Sequence, residues 1–346
     1  MDLWIYSEDF KLLGIVDTSA SVIWANRFRQ CGDFEIYIPA SDPALELLQE
    51  DRYVHRPGNK MTCIIEKRAL ESDEENGDYF IVTGRCLRSI LSRRIIWDQT
   101  VLTGTVENAL RRLVTDAFIS PAIPARKYDK LILAPAHGYT DKLETQYTGD
   151  NLLDVVEAMC ATYNYGFSVT LQDGYMVVDF YKGVDRTAGQ SKNPRVIFSE
   201  KYDTLAGSTY TRDKTLYKSV ALVAGEGEGA ARKRITVQRS TDLSGLQRRE
   251  MYIDARDISS NDGEITDQEY LAQLSARGNA QLAETPIVES MAGRVENMQT
   301  YAYGIDYDLG DTVTTENKYG LQANTQVLEV VEAWDESGYT ITPTFG

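Results

Sequence analysis

Phe34-Glu35-Ile36-Tyr37-Ile38 alternates apolar side chains with wet ones at a period of two, the spacing of a strand with one face buried. Working outward, Val22–Phe28 precedes it across Gln30-Cys31-Gly32-Asp33, and Leu3–Tyr6 and Leu12–Val16 flank a polar turn at Ser7–Asp9. Asp42 as N-cap and Pro43 at the first helical position open a short helix through Ala44–Gln49. Thr62–Arg68 and Tyr79–Arg85 then bracket the acidic stretch Glu71–Asp78, which reads as a long hairpin tip. Short strands punctuated by turns predict a small antiparallel barrel or sandwich over residues 1–102, closing near Trp97.

From about Thr103 the period changes. Thr105 caps a predicted helix whose apolar face is Val106, Leu110, Leu113, Val114, Ala117 and Phe118, stopped by Pro121 and Pro124. A second helix starts at Asp150 and buries Leu152, Leu153, Val156, Met159, Cys160 and Tyr163; Gly166 is its expected left-handed C-cap. Phe167–Leu171 and Tyr175–Tyr181 form a hairpin around Gln172-Asp173-Gly174. Residues 103–190 therefore read as an α+β insertion.

Residues 191–346 return to strands and read as a second barrel. One helix, 267–284, interrupts them, with a Thr266/Glu269 capping box and Tyr270, Leu271, Leu274 and Leu282 on one face. Later strands are Glu289–Glu296, Thr312–Thr315, Thr325–Trp334 and Tyr339–Thr342, with a polar turn near Tyr303–Gly304. The class is mainly β with an α+β insertion: two small antiparallel β-barrel domains plus a helix-containing middle domain.

The bulk numbers exclude several functions. With 42% hydrophobic and 25% charged residues in 346, the chain is globular and divides into more than one core. A net charge of −16 repels phosphate backbones and argues against nucleic-acid binding. Tyrosine outnumbers phenylalanine 21 to 9, which suits half-buried sheet faces and contact surfaces. Cys31, Cys63, Cys86 and Cys160 are scattered and read as buried, reduced thiols. The acidic N-terminus lacks a signal peptide, and no apolar run is long enough to span a bilayer, so folding in a cytoplasm and no membrane insertion are expected.

Catalytic patterns fail on inspection. His55 and His137 lack partners at ligand or catalytic spacing, and no G-x-S-x-G elbow occurs. Gly225-Glu226-Gly227-Glu228-Gly229 follows a strand but precedes the strand-like Arg232–Gln238, whereas a dinucleotide fingerprint needs a helix there. Asp257–Gly263 opens like a calcium loop, yet its sixth and twelfth positions are Asp262 and Gln268. The carboxylates Glu71–Glu75 read as a solvated tip rather than an acid–base pair. The expected site inventory is empty: no catalytic, metal or cofactor-binding residue, and no cofactor.

The ordered set of motifs resembles siphophage Gp37-like tail proteins. The residues that carry the likeness are Asn151-Leu152-Leu153-Asp154-Val155, Gly166-Phe167, Gly183–Thr187, Asn193-Pro194, Val196–Ser199, the glycine-rich stretch before Arg232-Lys233-Arg234, Leu309–Val313, Val327–Trp334 and Ile341–Gly346. That family is similar to phage baseplate hub and tail-associated proteins. The resemblance implies tube-like barrels, a homotrimer forming a pseudo-sixfold ring, and a place at the distal end of a virion tail. It implies as partners the distal tail protein and tail tube, the tape measure protein and tip or fibre proteins, with DNA only in transit. Hydrolytic and receptor-binding relatives carry long C-terminal extensions, and with the sequence stopping at Gly346 neither lysis nor host recognition is expected of it. A carbohydrate- or receptor-binding module and a cell-wall hydrolase stand as the alternative readings.

Overall fold

The computed structural model describes residues 1–73, 77–260, 266–295 and 300–346. Strands hold 42% of the residues and helices 21%, so the chain is mainly β with a few helices, as its pattern predicts. Contacts divide it into two compact units, residues 1–209 with 291–346, and residues 210–290.

Unit 1 begins with β1 (Leu3–Tyr6), β2 (Leu12–Val16), β3 (Ser21–Arg27), β4 (Asp33–Pro39), helix α1 (Asp42–Leu47), β5 (Tyr53–His55), β6 (Thr62–Asp73) and β7 (Gly77–Cys86). They lie in the order β3-β4-β7-β6-β5-β1-β2, every neighbour antiparallel. The Phe34, Ile36, Ile38 alternation is realised: all three are buried with Trp24, Phe80 and Val82. Helix α1 is capped by Ser41, whose Oγ accepts from the Ala44 N–H, so Asp42 is its first residue and not its cap. Of the expected acidic tip, residues 74–76 lie outside the described set.

A 3₁₀ turn, Leu87–Arg93, leads to β8 (Thr100–Thr105), α2 (Val106–Val114), β9 (Leu131–Leu133), β10 (Lys142–Tyr147), α3 (Leu152–Tyr163), β11 (Gly166–Gln172) and β12 (Tyr175–Tyr181). All six residues predicted for the apolar face of α2 are buried, Ala117 and Phe118 in a π turn that prolongs it. Helix α3 ends on Asn164, which takes the left-handed conformation (φ 56°). Asparagine tolerates that region through its short polar side chain. Gly166, the expected cap, instead opens β11, and Tyr163, expected on the buried face of the helix, is only half-buried.

After β13 (Ile197–Ser199), the chain reaches unit 2 through β14 (Ala206–Asp213). Unit 2 holds β15 (Val220–Ala224), β16 (Arg234–Gln238), β17 (Glu250–Asp254) and α4 (Asp267–Ala283). Its sheet order is β16-β15-β17, with β17 parallel to β15. Both halves of the Thr266/Glu269 capping box are present, and Tyr270, Leu274 and Leu282 are buried. Leu271 is 41% exposed, and Gly278 takes a buried place on that helix. The glycine-rich stretch turns from β15 into β16 with only a 3₁₀ turn, Gly229–Ala231, between them. Residues 261–265, in the calcium-like loop, lie outside the described set.

The chain returns through β18 (Val288–Arg294), which pairs with β14; Glu296, assigned from sequence to this strand, is outside the described residues. It then adds β19 (Thr312–Glu316), β20 (Gln322–Asp335) and β21 (Gly338–Phe345) to unit 1. β20 is long enough to serve two neighbourhoods. Its residues 322–326 pair with β19, while Glu329–Trp334 pair with both β3 and β21. A register shift between Val327 and Glu329 separates the halves, the bend a β-bulge gives. One ladder therefore runs β13-β19-β20-β3 and on to β2. The divisions expected at 102/103 and 190/191 fall inside unit 1, and pairing of β3 with β20 crosses both. Among the described residues no pairing joins the two ends of that ladder.

Candidate functional site

Three remote stretches of unit 1 converge on the Phe28 ring. A Cβ at Gly166 would sit 2.2 Å from it and a Cβ at Gly310 2.3 Å, so each backbone approaches the ring as only glycine permits. Phe28 is fully buried, edge-on to Tyr181 at 5.6 Å, and its N–H donates to the Leu328 carbonyl at 2.8 Å. Gly183 is tighter still, since its Cβ would lie 1.7 Å from the Gly310 oxygen. Next to this crossing the buried Asp311 accepts from the Val184 N–H (2.7 Å), Arg186 Nε (2.6 Å) and the Asp308 N–H (3.0 Å).

Beside the convergence lies a cavity of about 800 Å³. Its walls come from the turn after β5 (Arg56, Asn59, Lys60), from β11 and β12 (Ser168, Thr170, Asp179, Tyr181), and from the C-terminal part (Tyr303, Asp308, Glu332, Tyr339). Glu332 is 2% exposed and accepts from Arg56 Nη2 (2.8 Å), Asn59 Nδ2 (2.8 Å) and the Tyr339 hydroxyl (2.6 Å). Arg56 also lies 4.6 Å over the Trp334 ring, which stacks on Tyr339 at 4.6 Å. Lys60 meets Asp308 at 2.9 Å, and His137 Nε2 meets Asp179 at 3.0 Å. Arg88, 5% exposed, spends its guanidinium on the carbonyls of Arg27 and Gln30 (the latter at 2.7 Å) and on Asn26 Oδ1 (3.2 Å).

The chemistry of this lining is that of a fastening. Asp311 and Glu332 each spend their oxygens on three hydrogen bonds to donors from other stretches or turns of the chain. Burial drives the Tyr181 phenol further above its ordinary range, so it stays a neutral donor. Among the described residues no group of three or more His, Cys, Asp and Glu is placed to hold a metal. No helix among them is long and apolar enough to cross a membrane.

His137 does have a partner, Asp179, 42 residues away, and stacks on Tyr139 at 5.3 Å. His55 shares a hydrogen bond with Thr62 Oγ1 at 3.0 Å, and burial lowers its pKa, which keeps the ring neutral. The fastening residues Phe28, Arg56, Asp308, Asp311 and Glu332 escaped the sequence reading. Only Glu332 left a trace: it shares strand parity with the buried Val330, an odd place for an unpaired acid.

Residues 2–346 match the siphovirus ReqiPepy6 Gp37-like protein family. The chain belongs to that family. It is thus a member of a phage tail-associated family, and its fold agrees. A tail protein from Neisseria meningitidis MC58 superposes with a TM-score of 0.62 at 14% identity, covering 100% of this chain and 96% of its own. The 43 kDa tail protein of prophage MuSo2 from Shewanella oneidensis gives 0.60 at 11%, covering 100% and 98%. Prophage tail protein gp18 from Listeria monocytogenes EGD-e gives 0.58 at 11%, covering 99% and 94%. At such identities the likeness is one of fold. No curated protein matches the sequence.

Proposed function

We propose that three copies of this Gp37-like chain form the hub at the distal end of a bacteriophage tail, joining tail tube and distal tail protein to the tip. The observation that carries this reading is β20. One strand serving two neighbourhoods gives every chain two linked β segments, so three chains present six around one axis. That is the arithmetic needed where a sixfold tube meets a threefold tip.

Two further features support it. The ladder ends on β2, where Leu12, Leu13 and Ile15 are 49%, 45% and 50% exposed. An apolar edge strand is a template for another chain, and here the occupant is a second copy. The same contact repeated about a threefold axis closes a ring. The charge supplies the second: three copies carry 3 × −16 = −48, and carboxylates facing a lumen keep phosphates from sticking while DNA passes. The work is structural and not enzymatic, performed in the virion after assembly in the host cytoplasm. The tape measure protein and tip or fibre proteins complete the set of partners.

Solution mass and negative-stain images test this. Three chains of 38.9 kDa give about 117 kDa and threefold rings, and L13K with I15K shifts the mass to a single chain. A wild-type monomer without rings, at concentrations where tails assemble, contradicts the reading. A glycan-binding module is the second reading, favoured by Tyr181, Tyr303 and Tyr339 on the cavity wall. Retention of a glycan on an array would support it, and turnover of purified peptidoglycan would support a hydrolase.

A further inference from the structure

The pairing of β4 with β7 sets Asp33 opposite Arg85, and just beyond that pair Cys31, two residues before Asp33, meets Cys86, one after Arg85. Cys31 Sγ lies 3.5 Å from Cys86 Sγ, in contact and unbonded. Cys86 is 2% exposed and stands on the cavity wall, whereas Cys31 is half-buried and reaches solvent. The Gly32 N–H donates to Cys86 Sγ at 3.2 Å. The Cys31 N–H is held by Glu157 Oε1 of α3 at 2.7 Å, so the backbone that carries the more accessible sulfur is fixed. The two remaining cysteines, Cys63 and Cys160, are buried.

We propose that Cys31 and Cys86 are a site of thiol–disulfide exchange, taking a low-molecular-weight disulfide as oxidant and ending as an intramolecular Cys31–Cys86 disulfide. Burial opposes ionisation of Cys86, but the Cys31 S–H, the Arg88 guanidinium and nearby backbone N–H groups outweigh it and bring its pKa down. The same hydrogen bond raises that of Cys31. With Cys86 ionised, the two sulfurs share one proton and one negative charge.

Passing that proton to Cys86 bares a thiolate on Cys31. It attacks one sulfur of the oxidant RSSR, breaking the S–S bond and releasing RS⁻. Cys86 then gives its proton to solvent, and its thiolate attacks the Cys31 sulfur of the mixed disulfide. A Cys31–Cys86 bond forms and the second RS⁻ leaves. Two electrons have moved from the cysteines to the oxidant, and one proton has been released. The bond ties the start of β4 covalently to the end of β7. Its occasion, release from a reducing host interior into an oxidising medium, rests on the virion reading; the chemistry itself does not.

The test uses the full purified chain, incubated folded with oxidised glutathione or bis(2-hydroxyethyl) disulfide, then acid-quenched, alkylated and mapped by mass spectrometry. The expected product is lighter by about 2 Da, carries a Cys31–Cys86 peptide pair, and leaves Cys63 and Cys160 alkylated only after denaturation. It melts roughly 5 °C or more above the reduced form. Four thiols still alkylatable, a persistent adduct on Cys31, or a Cys63–Cys86 link would each overturn the proposal. The result is independent of whether the chain assembles as a hub.

Discussion

Unit 1 and unit 2 are held in different ways. In unit 1 the closing contacts join residues more than a hundred positions apart: Arg56 to Glu332, Lys60 to Asp308, and Phe28 to both Gly166 and Gly310. In unit 2 the core is eight buried residues, seven on three strands and one helix and Ala255 just past β17, all within residues 221–282. Its ion pairs each keep an exposed carboxylate, as Arg232 and Arg256 to Asp254 (2.5 and 2.7 Å) and Arg277 to Asp257 (2.6 Å). Unit 1 therefore cannot lose either end of the chain without opening its sheet, while unit 2 is a local fold. The difference shows which part ties the two ends of the chain together: unit 1, whose ladder takes strands from both.

Substitutions that break or sharpen this contrast fall in order of size. The largest effect is expected at Phe28→Ala, a fully buried ring shared by three stretches, at about 3–5 kcal/mol. Equilibrium unfolding should show the loss in unit 1 while the capped helix of unit 2 melts as before; parallel loss in both units would erase the contrast. Next comes Glu332→Ala, which strands Arg56 against Trp334 and costs about 3 kcal/mol. Hydrogen exchange should then quicken in β3 as well as β21, because both flank β20.

Unit 2 should respond less and locally. Gly278→Ala places a Cβ 2.7 Å from Val237 Cγ2 and 2.8 Å from Val223 Cγ2, an overpacking of about 1–3 kcal/mol. Thr266→Ala removes the cap that accepts from the Glu269 N–H, at about 1 kcal/mol. In both, hydrogen exchange should quicken in α4 and its sheet while unit 1 stays as in wild type.

The smallest effect is tied to pH. Asp141 accepts from Lys182 Nζ (2.7 Å) and the Tyr165 hydroxyl (2.8 Å), and Lys182 first, then Tyr165, holds its pKa below the usual value. A carboxylate depressed on folding stabilises above its unfolded pKa of about 4 and loses that contribution as pH falls through its folded value. Because the carboxylate is 40% exposed and screened, Asp141→Asn should cost only about 0.5 kcal/mol at neutral pH. The melting difference from wild type should close in acid; a gap that widened there would reverse the assignment.

How much of this was legible follows from distance along the chain. Helices α2, α3 and α4 were readable because their apolar faces and caps lie within a few residues of one another, down to the Thr266/Glu269 box. The Phe34–Ile38 strand was readable from parity alone. Local competition misled twice: Ser41 outbid Asp42 as a cap, and Asn164 took the left-handed place expected of Gly166. What spacing does not carry is pairing. Nothing near Arg56 announces Glu332, 276 residues on, and nothing near Cys31 announces Cys86. The two-sided use of β20 was hidden for the same reason, since its sequence reads as one uninterrupted strand. The site was thus almost illegible, because it consists of such pairings.

The most direct test of the hub is imaging of intact particles with this chain labelled. One axial density at the distal end of the tail, with three copies per particle, is predicted. Label spread along the tube, or sitting off-axis in any other number of copies, would contradict it.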